Sequence, residues 1–347
     1  SIQFLGAAGT VTGSRFLLAC DGVKVMIDCG LFQGLKELRL KNWNPLPIDP
    51  AEVDAVVLTH AHLDHCGYVP KLVKDGFRGK IHTTEFTAKL AEVILMDSAR
   101  IQTEDAKYAA KKGFSKHNPP KALYEEADAS RAVKLFSPEK FGTRIEIAEQ
   151  TFVTFHPAGH ILGAAFVEVE FFGKRLMFTG DLGRNQHPLL VTPQHVPTGK
   201  FDAIITESTY GDREHTPVND DFETVINETI ERGGSVLIPA FAVDRTEVIL
   251  VQLRELMEAG RIDDPYPGYL QQVKDLVRRV NVGQTYRAFL SEQLTTSEAA
   301  TLRKHTFARL LALQLRLDAI EAAVHVHAAE QRLVETGLKL VGHQQNL

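Results

Sequence analysis

Along the first 83 positions, apolar residues come in short bursts separated by turn residues, the pattern of strands joined by tight turns. Phe16-Leu17-Leu18 and Val23-Lys24-Val25-Met26-Ile27 flank Asp21-Gly22, a dipeptide that favours a two-residue hairpin turn. Residues 53–58 form a valine-rich run of the kind that makes a strand buried on both faces. The polar segment 59–65 therefore falls at a strand's C-terminal end, where open α/β sheets place their sites. From 84 to about 112 there is no Gly or Pro, and Leu90, Val93, Ile94 and Ile101 recur at helical spacing, which predicts one long helix. Residues 111–121, with Gly113 and Pro119-Pro120, read as a loop, and 122–133 as a helix. Strands are expected at 151–155, 165–171 and 175–179, the last two joined at Gly173-Lys174. A further strand at 203–206 runs into Glu207-Ser208-Thr209-Tyr210-Gly211-Asp212-Arg213. Helices at 220–232 and 244–259 bracket a strand at 235–239. Two β-rich blocks, each covered by helices, predict a layered α/β fold.

The end of the chain is different. After Asp263-Asp264-Pro265-Tyr266-Pro267-Gly268 the turn signals fade, and no Gly or Pro occurs between Gly283 and Gly337. Leu310, Leu313, Leu317, Ile320 and Val324 step by three and four. That spacing predicts one or two amphipathic helices packed on the body or on a second copy, which makes a homo-oligomer through the tail an expectation.

Composition narrows the class. Of 347 residues, 44% are hydrophobic and 24% charged, which excludes disordered and fibrous proteins. No apolar run approaches about 18 residues, so no membrane helix is expected, and the opening residues 1–6 lack the basic region of a secretory signal. Cys20, Cys29 and Cys66 form no CxxC pair and leave an odd thiol, which points to a reducing, cytoplasmic setting. The net charge of −5 means that any nucleic-acid contact must be local.

Fourteen histidines are the unusual count. His60-Ala61-His62-Leu63-Asp64-His65 places four metal-competent side chains within six residues, on a loop that follows a strand. Neutral imidazole and carboxylate suit Zn²⁺, with Mn²⁺ and Fe as competitors. A surface loop is the plainer reading, but burying so many polar groups beside a strand requires a compensating partner. His160, in His156-Pro157-Ala158-Gly159-His160-Ile161-Leu162-Gly163, and Asp181, in Phe178-Thr179-Gly180-Asp181-Leu182-Gly183, lie at further strand ends. Each alone reads equally well as a turn residue. Asp28, after Val25-Met26-Ile27, either orients a ligand histidine or simply ends a strand.

Together, His60-x-His62-x-Asp64-His65, His160 and Asp181 resemble the metallo-β-lactamase superfamily. Phe4-Leu5-Gly6-Ala7-Ala8-Gly9-Thr10-Val11-Thr12-Gly13-Ser14, the 159–165 segment, the 207–213 segment and Ile238-Pro239-Ala240-Phe241-Ala242-Val243-Asp244-Arg245-Thr246 are similar to its β-CASP nucleases, over residues 1 to about 259. The resemblance implies a metallo-β-lactamase αβ/βα sandwich over 1–208, the beginning of a β-CASP α/β domain over 209–262, and a divergent helical tail over 263–347. It also implies two divalent metal ions, most simply Zn²⁺. His60, His62 and His160 would hold one ion and Asp64 and His65 the other, with Asp181 bridging them. Asp28, Asp64 and Glu207 would be the catalytic carboxylates, Glu207 holding a proton-donating histidine.

The implied activity is RNA hydrolysis by a metal-activated hydroxide, leaving a 5′-phosphate and a 3′-hydroxyl. Single-stranded RNA would lie along Ser208, Tyr210 and Arg213. Arg100, Lys107, Lys111, Lys112, Lys116 and Lys121, opposed by Glu104 and Asp105, make a patch that serves either phosphate binding or solvation alone. From about 261 the chain departs from the family, whose two later histidines complete the second metal site and donate the proton. His305, His325, His327 and His343 stand in no such motif, and the two-residue spacing of His325 and His327 points them apart on a helix. A metallo-hydrolase of small molecules and a non-catalytic RNA-binding scaffold are therefore the alternatives.

Overall fold

The apolar bursts of the first 84 residues, with one later strand, become a six-stranded sheet. In spatial order it contains β1 (Ile2–Phe4), β2 (Phe16–Cys20), β3 (Val23–Ile27), β4 (Ala55–Val57), β5 (Lys80–Thr84) and β6 (Phe136–Glu139). In this computed structural model the described residues are 1–113, 117, 119–212, 214, 221–234, 236 and 238–262. Asp21 and Gly22 both take left-handed φ, 48° and 88°, which closes the β2–β3 hairpin as their residue types favour. From β3 to β6 the strands run parallel, so each crossing needs a connection on a face of the sheet. Those connections carry α1 (Lys36–Lys41), α2 (Leu63–Cys66), α3 (Val69–Lys74), α4 (Glu85–Lys112) and α5 (Glu126–Val133). Helices α3 and α4 both pack on α5, and α4 also packs on β5 and β6.

The long helix starts and stops where its residue types dictate. The Thr84 hydroxyl accepts from the Thr87 amide at the N-terminus, and Gly113 ends the helix at φ 71°. Helices α1 to α3 lie in the stretch expected to be strands and turns. They are only four to six residues long, too short for a helical period to show.

A second sheet holds β7 (Ile145–Ala148), β8 (Thr151–Pro157), β9 (Ala165–Phe171), β10 (Lys174–Phe178) and β11 (Ala203–Ile205), in the order β11-β10-β9-β8-β7. Its turn between β9 and β10 is Phe172-Gly173, one residue earlier than expected, with φ 48° and 72°. The two sheets face each other. Leu18, Val25, Ile27, Ala55 and Val57 from one meet Val153, Phe155, Val167, Val169 and Phe178 from the other in a single buried cluster. The opposite face of the second sheet carries paired charges, Arg175 with Glu168 and Arg144 with Glu170. This strand-level alternation puts apolar residues inside and charges outside.

By contacts the chain divides into two units, Ser1–Val218 and Asn219–Leu347. The second unit contains α6 (Phe222–Glu231) and α7 (Arg245–Glu258), close to the helices expected there. Of the strand expected at 235–239, residues 235 and 237 lie outside the described residues, and 236, 238 and 239 have no strand geometry. The expected tail, 263–347, also lies outside them. Among the described residues, no helix is long and apolar enough to cross a membrane.

Phe155 is fully buried between the sheets. Phe155→Ala should cost about 3–5 kcal/mol in chemical denaturation, whereas Ile204→Ala, at a position 54% exposed, should stay within about 0.5 kcal/mol.

Candidate metal centre

Two loops from the first sheet and two from the second converge at one edge of the sandwich. Thr59 and His60 leave the end of β4, and both are buried. His62 is extended and leads into α2, whose single turn carries Asp64 and His65. A short helix suits this position, because its first turn sets Asp64 and His65 side by side directly after the extended His62. Opposite, His160 lies between β8 and β9, and Asp181 follows β10.

Close backbone approach holds both pairs of loops. A Cβ at Gly30 would lie 1.6 Å from the Asp64 carbonyl oxygen, and one at Gly183 would lie 1.7 Å from the Gly159 carbonyl oxygen. Only glycine fits at either place. The amides confirm the contact: Ser14 N donates to Asp64 O at 2.8 Å, Cys29 N to His65 O at 2.7 Å, and Gly183 N to Ala158 O at 2.9 Å.

At the centre, His62 Nδ1 lies 3.1 Å from His60 Nε2 and 3.2 Å from His160 Nε2. One Asp181 oxygen is 3.7 Å from His60 Nε2 and 3.4 Å from His160 Nε2, while its other oxygen is 3.3 Å from His65 Nε2. Asp64 Oδ2 is 3.8 Å from the same His65 nitrogen. The candidate ligand atoms of His60, His62, His160 and Asp181 all lie within 4.8 Å of one another. Three imidazoles and a carboxylate aimed at one small volume are the donor set of a divalent cation such as zinc, and the residues fit that role.

Behind His65 sits Asp28, 1% exposed and in the left-handed region at φ 55°. A non-glycine residue held there marks stored strain at a site. Its carboxylate accepts from Thr59 N at 2.9 Å, from Ser14 Oγ at 3.0 Å and from His65 Nδ1 at 2.7 Å.

Charge follows from these neighbours. Burial first, then the surrounding histidines, holds His60 well below its ordinary range. Burial also disfavours the charged form of His65, but Asp28 and Asp181 outweigh it and raise His65 well above its usual value. Asp181 is desolvated too, yet the hydrogen bond and charge of His65 bring it down to about 2. Asp64 is raised, mainly by burial.

The other expected residues distribute unevenly. Glu207 follows β11, and its carboxylate accepts from Leu182 N at 2.8 Å, the amide next to Asp181. Ser208 is exposed and Tyr210 half-buried, while Arg213 lies outside the described residues. Of the expected basic patch, Arg100 pairs with Asp97 and Glu104, and Lys116 lies outside the described residues. Sequence reading passed over Ser14 and Thr59 as site residues. Their only signal was position, Ser14 closing the glycine-rich segment 6–14 and Thr59 preceding His60.

The metallo-beta-lactamase superfamily profile matches residues 11–235, and the chain belongs to that superfamily. Over 251 residues it is 38% identical to ribonuclease TTHA0252 of Thermus thermophilus, covering 72% of this chain and 53% of that one. Over 258 residues it is 32% identical to cleavage and polyadenylation specificity factor 73 of Drosophila melanogaster, covering 73% and 35%. Transcription termination factor FttA of Methanocaldococcus jannaschii is 29% identical over 295 residues, covering 78% and 44%. By name these relatives are a ribonuclease, a cleavage and polyadenylation factor and a transcription termination factor. The chain spans about half, or less, of the length of the curated relatives it matches.

Gly30→Ala should force the Asp64 backbone outward, lowering stability by about 1–3 kcal/mol and weakening metal binding. Thermal unfolding with and without added Zn²⁺ measures both.

Proposed function

We propose that this chain is the core of a metal-dependent ribonuclease that hydrolyses RNA phosphodiester bonds at a dinuclear zinc centre. The convergence of His60, His62, His160 and Asp181 from both sheets is the observation that carries this reading. His60, His62 and His160 would hold one ion and Asp64 and His65 the other, with Asp181 presenting one oxygen toward each group. Divalent ions bound there would supply acidification of a water and neutralisation of phosphate charge.

The protein's own groups set the stage for that chemistry. Asp28 accepts a hydrogen bond from His65 Nδ1–H, so Nε2 is the ring nitrogen left to face the cluster. Glu207, held on the amide beside Asp181, stands where it can orient a proton donor toward the leaving 3′-oxygen. Ser208, Tyr210 and Arg213 follow directly in sequence and are the residues proposed to contact RNA, Tyr210 by stacking on a base of a single strand. Lys107, Lys111 and Lys112 on the last turns of α4 extend a local basic surface. Small-molecule hydrolysis has no use for the 207–213 segment. We assign residues 1–208 to the metallo-β-lactamase core, 209–262 to the start of the β-CASP segment, and 263–347 to a helical tail through which copies associate, in a cytoplasmic protein.

Purified protein should carry close to two zinc equivalents by elemental analysis and cut single-stranded RNA, with cleavage lost on chelation. Asp64→Ala and His65→Ala should each lower the rate by about 10²–10³-fold, equivalent to losing several kcal/mol of charge stabilisation. Tight RNA binding without cleavage in any divalent metal would instead identify a scaffold subunit.

The pH dependence has a definite sign. Because His65 is raised, the metal-free chain holds its proton at pH 7. Its contribution to stability is complete below the ordinary histidine range and is lost as pH rises through the raised value. Metal must displace that proton, so affinity should climb with pH, and uptake at pH 7 should release about one proton per chain. Calorimetry in buffers of different ionisation enthalpy reads that release.

A further inference from the structure

Asp28 reaches His65 directly, but a second path leads from the same carboxylate to His60. Thr59 is 1% exposed. Its hydroxyl lies 3.0 and 3.1 Å from the two Asp28 oxygens and 3.0 Å from His60 Nδ1. A hydroxyl has one proton and two lone pairs, whereas a carboxylate only accepts. The Thr59 proton therefore goes to Asp28, and what faces His60 Nδ1 is an oxygen lone pair. His60 must then carry its proton on Nδ1, which leaves the Nε2 lone pair aimed at the cluster, 3.7 Å from Asp181 Oδ2. Asp28 thus sets two histidines the same way round, His65 in one step and His60 in two.

Thr59 also joins the two sheets. Its amide donates to Asp28 Oδ1 at 2.9 Å, and its carbonyl accepts from Ala165 N at 2.9 Å, at the start of β9 just after the His160 loop. A Cβ at Gly180 would lie 2.7 Å from both Thr59 Cβ and Oγ1, so the side chain is wedged against the backbone that presents Asp181. We propose that Thr59 is a positioning residue that fixes the His60 ring tautomer for metal ligation and registers the His160 and Asp181 loops against the His60 loop. The proposal rests on the metal-centre reading above, but its first claim concerns the metal-free protein.

Two measurements on the full chain test it. Ring-¹⁵N-histidine NMR of the metal-free protein, with His60 assigned by loss of its signals in His60→Asn, should show the Nδ1–H form in the unsubstituted chain and in Thr59→Ser. Thr59→Val, of nearly the same shape but without the hydroxyl, should lose that preference. Zinc affinity by competition with a chromogenic chelator should fall about 10–100-fold in Thr59→Val and stay close to the unsubstituted value in Thr59→Ser. An Nε2–H form of His60 in the unsubstituted chain, or unchanged zinc affinity in Thr59→Val, overturns the proposal. If Thr59→Val does not fold, the tautomer in the unsubstituted chain and in Thr59→Ser decides. Failure of the unsubstituted chain to bind zinc would defeat the metal-centre reading, and the NMR result would still judge the relay.

Discussion

A buried carboxylate has to be paired, and Asp28 shows what that requirement does to the surrounding structure. Leaving such a group desolvated and unpartnered costs several kcal/mol. Here its oxygens are satisfied by Ser14, Thr59 and His65, which come from three separate stretches of chain. The carboxylate therefore works as a knot. It ties the glycine-rich segment after β1 to the end of β4 and to the first turn of α2. Its left-handed φ is the strain the backbone carries to bring the carboxylate there.

The second constraint is steric. Loops from two sheets must bring ligand atoms within 4.8 Å, so backbones have to approach more closely than a Cβ allows. Glycines 30 and 183 sit where the approach is tightest, each next to a segment that bears candidate ligands. Core packing between the sheets sets the larger distance: the buried faces of β2, β3, β8, β9 and β10 fix how far apart the loop roots stand. Rigid strands with short loops are what hold such a cluster within a fraction of an ångström.

The electrostatics sort the ring nitrogens by environment. His60, shut away from solvent among other histidines, favours the neutral form, while His65, between two carboxylates, favours the charged one. Identical side chains five residues apart thus begin in different protonation states, and a metal would have to even them out. Glu207 lies one amide away from Asp181 and so shares the edge of this field without being part of the cluster.

By itself the sequence determined the elements with strong local signals. These are the Asp21-Gly22 hairpin, the long α4 between its threonine cap and its glycine stop, and the β9 and β10 strands, together with the compact histidine motif at 60–65. Short-range periodicity and turn chemistry suffice for those. The four-to-six-residue helices α1 to α3 escaped, because one turn carries no period, and α2 forms where Asp64 and His65 are needed. The resemblance implied that His160 and Asp181, each readable alone as a turn residue, join His60 and His62; the tertiary structure supplied the distances and placed Ser14 and Thr59 behind them. Their meeting depends on the packing of one sheet against the other across about a hundred residues of chain, a long-range distance that no local pattern records.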